Sequence, residues 1–373
     1  MTKSLNILVM NRQYHGIFGG VEHMSTALVN EMSARGHKCH LLSLDTESAE
    51  IEYDLAANIT WHKVSTVDAQ HKADRKERFT RLKKIRAILK EHKIDVATGF
   101  QDGAFLTLAL AALGTGVPVI AAERNSPSRF DFTSDGKYKH LRYNSFRLAK
   151  NITIQCPSYV DLYPKYLRKK IEVIPNPVFP PPNTAHPKGK EGENKTLLSV
   201  GRLSYQKNYL VMLKAFSLIA DKHPEWDLVI VGEGDHRDRL EEFIAENDLN
   251  ERVNLIGYSK KTQDYYTNAQ LFCLSSLWEG FPNALAEAMA HGLPSIGFQN
   301  CAGVSDLIEP DKTGLLAKGN DNSDDLAKVM DTMMSNDVKR AVMGQNAKEK
   351  IKEFTPAHVY DKWEQLFTNI AKG

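Results

Sequence analysis

Short apolar runs alternate with helical stretches along most of this 373-residue chain. The runs lie at residues 5–10, 37–44, 94–98, 117–122, 152–155, 196–201, 227–231, 253–256, 270–274 and 294–297. Continuous apolar runs of this length, separated by helices, are typical of βαβ units with buried parallel strands. The pattern therefore predicts an α/β protein built from parallel sheets.

A proline-rich segment separates an early series of runs from a late one. Residues 175–182 contain five prolines, and a polar stretch follows at 187–195. Proline lacks a backbone N–H and disrupts regular structure, and a polar stretch has little to bury. A chain of this length also exceeds the size at which a single core stops growing. We therefore predict a first domain at 1–177, a linker at 178–195, a second domain at 196–355 and a last helix at about 356–373.

Glycines and charged residues directly follow several predicted strands. Gly20, Arg202, Gly232, Gly257 and Glu279 each occupy such a position. In open α/β sheets, ligands bind at the carboxyl ends of the strands. These residues are therefore expected to converge on one cleft.

Residues 279–287, with the sequence EGFPNALAE, place two carboxylates eight positions apart. Pro282 suits the first position of a helix, because its N–H would have no partner there. The free N–H groups that follow it favour an anion at the helix N-terminus. A phosphate flanked by two groups that bind hydroxyls is the outline of a nucleotide sugar. The alternative is an ordinary helix whose glutamates face water.

Arg202 and Lys207 are the candidate cations for a departing diphosphate. Cleavage of a nucleotide sugar leaves negative charge that either a metal or fixed cations must stabilise. The sequence contains no Asp-x-Asp motif, and we predict no metal site and no cofactor apart from the donor itself. Arg202 would offer a planar fork to phosphate oxygens, and Lys207 would offer a point charge. The alternative is that both side chains are simply solvated.

The ordered set of motifs resembles glycosyltransferase family 4, a family of retaining enzymes with the two-domain GT-B fold. The resemblance rests on the Glu-x7-Glu segment 279–287 and on residues 19–22, 201–208, 231–235 and 254–257. It implies two Rossmann-like, doubly wound domains that face each other across a cleft, with the last helix crossing back to the first domain. It also implies a nucleotide-sugar donor and transfer with retention of anomeric configuration.

The same resemblance assigns roles to the residues of these motifs. Glu287 would bind ribose hydroxyls, and Glu279 would either contact the transferred sugar or stabilise positive charge at its anomeric carbon. Backbone N–H groups of Asn283 and Ala284 would bind the diphosphate. The other donor-binding candidates are Gly19, Gly20, Gly257, Tyr258, Gly280 and Phe281. Since no side chain is left as a covalent nucleophile, a front-face mechanism is expected.

Two residues of the first domain are acceptor-side candidates. Arg124 follows the predicted strand 117–122 and stands where many relatives carry His. We therefore expect it to meet an anionic acceptor or the phosphate of the donor. His15 lies in the first glycine loop and faces either the acceptor or solvent.

Charge is distributed unevenly along the chain, although its net value is only +2. Residues 1–175 hold 26 Lys and Arg against 18 Asp and Glu, and the remainder holds 22 against 28. A basic helix at about 75–93 places Phe79, Leu82, Ile85 and Leu89 at helical spacing. It is either an ordinary surface helix or a surface that binds anionic lipid or a diphosphate-linked acceptor.

The remaining sequence features favour a cytoplasmic protein. No run of 18 apolar residues is present, the N-terminus lacks a signal-peptide pattern, and the four cysteines are expected to be buried, reduced thiols. The protein is either cytoplasmic or peripheral on the inner membrane face. No nucleic-acid motif accompanies the basic helix.

Together these features predict a metal-independent glycosyltransferase that moves a hexose or N-acetylhexosamine from a nucleoside-diphosphate sugar, with UDP favoured. The expected acceptor is a glycan, in particular a lipid-linked precursor of surface polysaccharide or lipopolysaccharide. The alternatives are a sugar-nucleotide epimerase of the same architecture and a non-catalytic nucleotide-binding protein.

Overall fold

The structure is a computed structural model that describes residues 3–17, 19–68, 71, 73–190 and 192–372, with all their side chains except that of residue 102. The chain forms two compact units. Unit 1 comprises Met1–Asn176 and Ala357–Gly373, and unit 2 comprises Pro177–Pro356.

Thirteen strands and thirteen α-helices occur in the described residues. The strands are β1 (Asn6–Met10), β2 (Lys38–Ser43), β3 (Thr60–Lys63), β4 (Val96–Phe100), β5 (Val119–Ala122), β6 (Asn151–Ile154), β7 (Ile171–Val173), β8 (Lys195–Val200), β9 (Trp226–Val231), β10 (Val253–Gly257), β11 (Leu271–Leu274), β12 (Ser295–Phe298) and β13 (Gly314–Ala317). The helices are α1 (Gly20–Ala34), α2 (Arg75–Glu91), α3 (Gln101–Ala112), α4 (Lys139–Ser145), α5 (Lys165–Arg168), α6 (Tyr209–Ser217), α7 (Arg237–Glu246), α8 (Thr262–Asn268), α9 (Asn283–Ala290), α10 (Val304–Leu307), α11 (Ser323–Met334), α12 (Asp337–Lys350) and α13 (Pro356–Lys372).

The strands form one parallel sheet in each unit. Unit 1 has seven strands in the order β3-β2-β1-β4-β5-β6-β7, and unit 2 has six in the order β10-β9-β8-β11-β12-β13. In each sheet the order reverses beside the first strand of the unit, between β1 and β4 and between β8 and β11. This is the doubly wound Rossmann arrangement. The predicted fold class of two Rossmann-like α/β domains is therefore confirmed.

Three strands were not predicted from the sequence, and all three lie at the edges of sheets. They are β3, β7 and β13, which read TWHK, IEV and GLLA. An edge strand has a neighbour on one side only, so it tends to be short and to include polar residues. β3 and β7 contain polar residues and so lack the continuous apolar run that identified the other strands, whereas β13 is a short apolar segment.

The core of unit 1 includes the last helix, α13. Its apolar residues recur three or four positions apart and so lie along one stripe. Of these, Val359, Trp363 and Phe367 join the same cluster as Val9 of β1 and Val96 of β4. The last helix is therefore part of unit 1.

Part of the proline-rich segment is hydrogen-bonded to the rest of unit 2. Residues 178–195 belong to unit 2, apart from residue 191, which lies outside the described residues. The N–H of Val178 donates to the carbonyl of Phe354 at 2.7 Å, and the N–H of Ala185 donates to the carbonyl of His291 at 2.8 Å. Backbone groups of unit 2 therefore hold part of this irregular segment in place, and its role as a linker between the two units stays a prediction.

All four cysteines lie among the described residues and are buried, as predicted. Among the described residues, no helix combines the length and the hydropathy that crossing a bilayer requires.

Helix α2 buries a different face from the one expected. Ile85 and Leu89 are buried as predicted, but Phe79 is 63% exposed. The inward positions near the start of the helix are occupied instead by Glu77 and Arg81, which form a salt bridge of 3.0 Å. A buried ion pair at this spacing cannot be distinguished in sequence from a solvated pair on the surface.

Glu77 is held as a carboxylate by several hydrogen bonds. Burial opposes its charge, but bonds from Thr66, Ser65 and Arg81 outweigh burial and lower its pKa to about 2. The Ser65 hydroxyl lies 2.9 Å and the Thr66 hydroxyl 2.6 Å from the carboxylate oxygens. This cluster ties the start of α2 to the chain that follows β3.

Replacing Glu77 with Gln is expected to lower the free energy of unfolding at pH 7 by the order of 2 kcal/mol. The folded pKa of about 2 lies below the ordinary value of 4.5. The carboxylate therefore stabilises the fold above pH 4.5, and this stabilisation is lost as the pH falls towards 2. Urea unfolding at several pH values measures the difference. The exposed Glu91 of the same helix gives the control variant Glu91→Gln, and an equal loss there would contradict the prediction.

Candidate active site

Three glycines meet at the carboxyl ends of β8, β9 and β10. The N–H of Gly232 donates to the carbonyl of Gly257 at 2.9 Å, and the N–H of Gly201 donates to that of Val231 at 3.0 Å. A Cβ atom on Gly232 would lie 2.0 Å from the carbonyl oxygen of Gly201. Any side chain there would therefore push the two loops apart. Because glycine has no side chain, a ligand can approach the backbone closely at this edge of the sheet.

The loop after β8 is fastened to the loop after β11. The Ser275 hydroxyl donates to the carbonyl of Lys207 at 2.9 Å, and the N–H of Leu277 donates to the carbonyl of Gln206 at 2.9 Å. The side-chain amide of Gln206 donates to the carbonyl of Trp278 at 2.8 Å. Because β8 and β11 are the strands at which the order reverses, these loops border the crevice where doubly wound sheets bind ligands.

Lys207 and Glu279 form an ion pair at this crevice. The ammonium of Lys207 lies 2.7 Å from Oε1 of Glu279, and the Ser276 hydroxyl donates to the same oxygen at 2.6 Å. Glu279 is only 5% exposed. The sequence analysis assigned these two side chains to different parts of a donor, whereas the structure joins them. An incoming phosphate or sugar hydroxyl would therefore meet a pair that is already oriented.

Arg202 is the accessible cation of this site. Its side chain is exposed, and within the described ranges it has no hydrogen-bond or salt-bridge partner. Arginine remains charged at any physiological pH and can bind two phosphate oxygens at once. Arg202 can therefore bind an anion without first breaking an internal contact, in contrast to Lys207.

The start of α9 differs from the prediction by one position. Pro282 precedes the helix, with φ −78° and ψ 73°, and the N–H of Asn283 donates to the carbonyl of Phe281 at 2.8 Å. This is an inverse γ-turn. The Asn283 N–H, which was expected to bind diphosphate, is thus engaged within the turn. Ala284 lies in the first turn of the helix, where an N–H has no partner within the helix itself.

Glu287 lies one turn further along α9, in a half-buried position. The Tyr266 hydroxyl donates to its Oε2 at 3.0 Å. Burial raises the pKa of Glu287, and the bond from Tyr266 offsets only part of that effect. The ring of His291 stacks on Tyr266 at 5.0 Å, and its Nδ1 lies 2.8 Å from the Glu287 carbonyl. This support makes Glu287 a fixed group for binding hydroxyls.

Tyr266 and His291 did not emerge from the sequence analysis. The spacing of four residues between Glu287 and His291 places both on one side of α9, and it was the only signal for His291. Tyr266 comes from α8 and gave no signal at all, because its approach depends on how α8 packs.

The other donor-binding candidates of unit 2 fall into two environments. Phe281 is 5% exposed, and its ring packs 5.9 Å from that of Phe354. Its side chain therefore packs in the core. Tyr258, directly after Gly257, is 77% exposed. Gly280 connects Glu279 to Phe281 and is half-buried.

The glycine loop of unit 1 ends at the N-terminus of α1. Gly19 precedes the helix and Gly20 is its first residue. A Cβ atom on Gly19 would lie 2.2 Å from Oε2 of Glu22, so this carboxylate folds back over the helix end. Burial raises the pKa of Glu22. A phosphate approaching this N-terminus would therefore first have to displace Glu22.

His15 is exposed in the same loop. Its Nδ1 lies 3.2 Å from backbone atoms of Glu50, which fixes one edge of the ring. The other edge of the ring faces away from this contact. That His15 contacts an acceptor stays a prediction.

Arg124 does not occupy the exposed position that was expected. It is 5% exposed, and its guanidinium donates to the Ile174 carbonyl at 3.1 Å and to the Thr153 hydroxyl at 3.2 Å. It also lies over the rings of Phe100 and Trp363, at 5.4 and 5.3 Å. Burial lowers its pKa to about 9. In this structure Arg124 therefore joins strands and helix α13 inside unit 1, and does not present a cation to a ligand.

Among the residues that the structure describes, no group of three or more metal-binding side chains lies at the crevice of unit 2. In the part of the chain that the structure describes, the one group of three or more suitable ligands is His40, His62 and His92 of unit 1. The sequence analysis did not find it, because these histidines are 22 and 30 residues apart.

The sequence matches family models of glycosyltransferases over most of its length. A model of group 1 glycosyl transferases matches residues 182–350, and a model of glycosyltransferase family 4 matches residues 18–180. The chain belongs to this glycosyltransferase family. The predicted family is therefore confirmed.

Two relatives in sequence span almost the whole chain. A glycosyltransferase of Haemophilus influenzae is 28% identical over 98% of this chain and 99% of its own length. An α-1,4-N-acetyl-D-galactosaminyltransferase of Campylobacter jejuni is 25% identical over 94% of this chain and 96% of its own. The name of the second enzyme gives an undecaprenol-diphosphate-linked saccharide as its acceptor.

Solved structures show the same GT-B fold at lower identity. The lipopolysaccharide outer core galactosyltransferase WaaB superimposes with a TM-score of 0.80 at 19% identity, over 99% of this chain and 100% of its own. Anabaena HepE in complex with UDP superimposes with a TM-score of 0.77 at 15% identity, over 98% of this chain and 100% of its own.

Proposed function

We propose that this glycosyltransferase is retaining and metal-independent, and that it moves a hexose or N-acetylhexosamine from a UDP-sugar to a lipid-linked precursor of surface polysaccharide. The proposal rests on one observation: the loop after β8 carries both the exposed Arg202 and Lys207, which is paired with Glu279 of the loop after β11. Fixed cations at the crevice of unit 2 can stabilise a departing diphosphate without a divalent ion.

The chemistry follows from the positions of these groups. Arg202 binds the diphosphate oxygens, and Lys207 shares its ammonium between Glu279 and the same oxygens as negative charge develops. Glu279, held by Ser276, orients the transferred sugar or stabilises positive charge at the anomeric carbon. The acceptor hydroxyl attacks from the side that the leaving group vacates, and its proton passes to a phosphate oxygen. The new glycosidic bond therefore keeps the original configuration.

One observation supports a ribonucleoside diphosphate as the carrier of the sugar, and a second favours UDP among them. Glu287 is fixed by Tyr266 at a distance along α9 that suits ribose hydroxyls when the diphosphate lies at the start of the helix. Among proteins of the same fold, HepE is known in complex with UDP. The named relatives transfer galactose or N-acetylgalactosamine, which supports a hexose or N-acetylhexosamine as the transferred group.

Unit 1 offers a surface suited to an anionic lipid-linked acceptor and to peripheral contact with an anionic membrane. On α2 the exposed ring of Phe79 lies 5.5 Å from the ammonium of Lys83. Near α4, Tyr138 is 56% and Leu141 is 71% exposed, beside a cavity of about 430 Å³ that Arg129 also lines. Apolar side chains among cations can enter a headgroup region, and each cation near it adds about 1 kcal/mol.

A donor screen tests this function. Purified protein is incubated with UDP-, GDP- and ADP-sugars, with and without an undecaprenyl-diphosphate-linked saccharide and with EDTA. We expect UDP release that depends on the acceptor and is unchanged by EDTA, and an α-linked product from an α-linked donor. Loss of turnover in EDTA, an inverted product, an epimerised sugar without transfer, or binding without turnover would each overturn the proposal.

A further inference from the structure

Three histidines from separate elements of unit 1 meet at one place. His40 lies on β2, His62 lies on β3, and His92 caps the C-terminus of α2. One ring nitrogen from each lies within 4.8 Å of the others. His40 Nδ1 and His62 Nε2 are 3.1 Å apart, and the ring centroids are separated by 4.5 to 5.3 Å.

The spacing of these nitrogens suits coordination of one ion. Two imidazole nitrogens bound tetrahedrally to zinc at about 2.0–2.1 Å lie roughly 3.3 Å from each other. The pair of His40 and His62 is already close to that distance. His92 lies at the end of a helix, where a small rotation of its ring can bring the third nitrogen to the same point.

The backbone fixes this convergence. β2 and β3 are parallel neighbours, with His40 opposite Thr60 and Leu42 opposite His62. His40 and His62 are therefore on the same face of the sheet. His92 is the C-cap residue of α2 and lies shortly before β4. This position brings the third imidazole to the same face.

The chemistry of the cluster favours a transition metal. All three candidate ligand atoms are imidazole nitrogens. Neutral imidazoles bind Zn, Cu, Ni and Co better than Mg or Ca. A cavity of about 400 Å³, which His40 and His92 line together with Asn58 and Thr60, leaves room for a water as a fourth ligand.

We infer that His40, His62 and His92 form a structural site for one divalent transition-metal ion, with Zn²⁺ as the representative case. The ion fastens the edge strand β3 and the end of α2 to β2. The site is separate from donor chemistry, because it belongs to unit 1 and lies where α2 ends. The glycine loop of unit 1 instead follows the carboxyl end of β1.

Metal binding by the purified full chain tests this inference. The protein is first freed of metal with EDTA, and is then titrated with Zn²⁺ and with Co²⁺. We expect one ion per chain, a rise in Tm with Zn²⁺, and the intense visible absorption of tetrahedral Co²⁺. The variants His62→Gln and His92→Gln should each weaken binding by more than the roughly 10–100-fold that loss of a supporting group costs. The exposed loop residue His186 gives the control variant His186→Gln, which should bind like the wild type.

Two results would overturn the inference. One is the absence of binding at one ion per chain, which would leave the cluster as stacked, hydrogen-bonded imidazoles only. The other is equal binding by the two cluster variants and the control. Either result can be distinguished from a failure of the proposed function. If the inference holds, EDTA lowers the Tm of the protein but leaves the initial rate of sugar transfer unchanged.

Discussion

Replacing Arg202 with alanine is expected to lower kcat by about 10²–10³-fold, which corresponds to about 3–4 kcal/mol of lost transition-state stabilisation. Arg202 is exposed, so its replacement leaves no buried group without a partner and should not change folding. Because charge on the diphosphate grows as the glycosidic bond breaks, the loss should appear in kcat more than in the KM for the donor. Steady-state kinetics with the donor identified in the screen measure both constants.

Arg239 provides the matched control for this substitution. It is also exposed in unit 2, on α7, and Arg239→Ala removes the same charge from the unit. The control should retain wild-type kinetics. Equal losses in the two variants would assign the effect to overall charge. A rise in the donor KM with unchanged kcat would show that Arg202 binds the ground state and the transition state equally.

Replacing Lys207 with methionine is expected to abolish transfer and to lower the free energy of unfolding by about 3 kcal/mol. The cost arises because the Glu279 carboxylate, 5% exposed, loses the ammonium that lies 2.7 Å from it. Ser276 still donates to the carboxylate, which limits the loss. Urea unfolding of unit 2 and the rate of transfer are the two measurements.

The double variant Lys207→Met/Glu279→Gln separates the two effects. Removing both charges should restore most of the stability, because no isolated buried charge is left, while transfer stays absent. The double-mutant cycle gives the coupling between the two side chains directly. If the two single losses simply add, Lys207 and Glu279 do not stabilise each other and the ion pair is not a feature of the folded protein.

The sequence located the elements of the site better than it located their partners. Arg202 and Glu279 follow predicted strands, and a parallel sheet brings the carboxyl ends of its strands to one edge. That placement follows from periodicity alone. The contact of Lys207 with Glu279 does not, because it requires the loops after β8 and β11 to be fastened together by Ser275 and Gln206. Hydrogen bonds between loops depend on strand order, which no local pattern specifies.

Burial was the other quantity that local patterns did not supply. Arg124 and Arg202 both follow a predicted strand, but Arg124 is covered by α13, whose residues are more than 200 positions away in sequence. The same reason explains Arg81 of α2, which is buried with Glu77, and the cluster of His40, His62 and His92. In each case the environment includes residues from another element or loop, which the local pattern does not specify. Edge strands such as β3 escaped prediction because they lack an apolar run.

Most of unit 1 leaves the ribosome before unit 2, but unit 1 completes its core only after unit 2 has been translated. Domains usually fold one after another during synthesis, beginning at the N-terminus. Here Trp363 and Phe367 fill the core of unit 1, so all of unit 2 is translated before they emerge. The growing chain must therefore keep an apolar face uncovered throughout that interval. A premature stop shortly before residue 359 would damage the half of the protein that was made first.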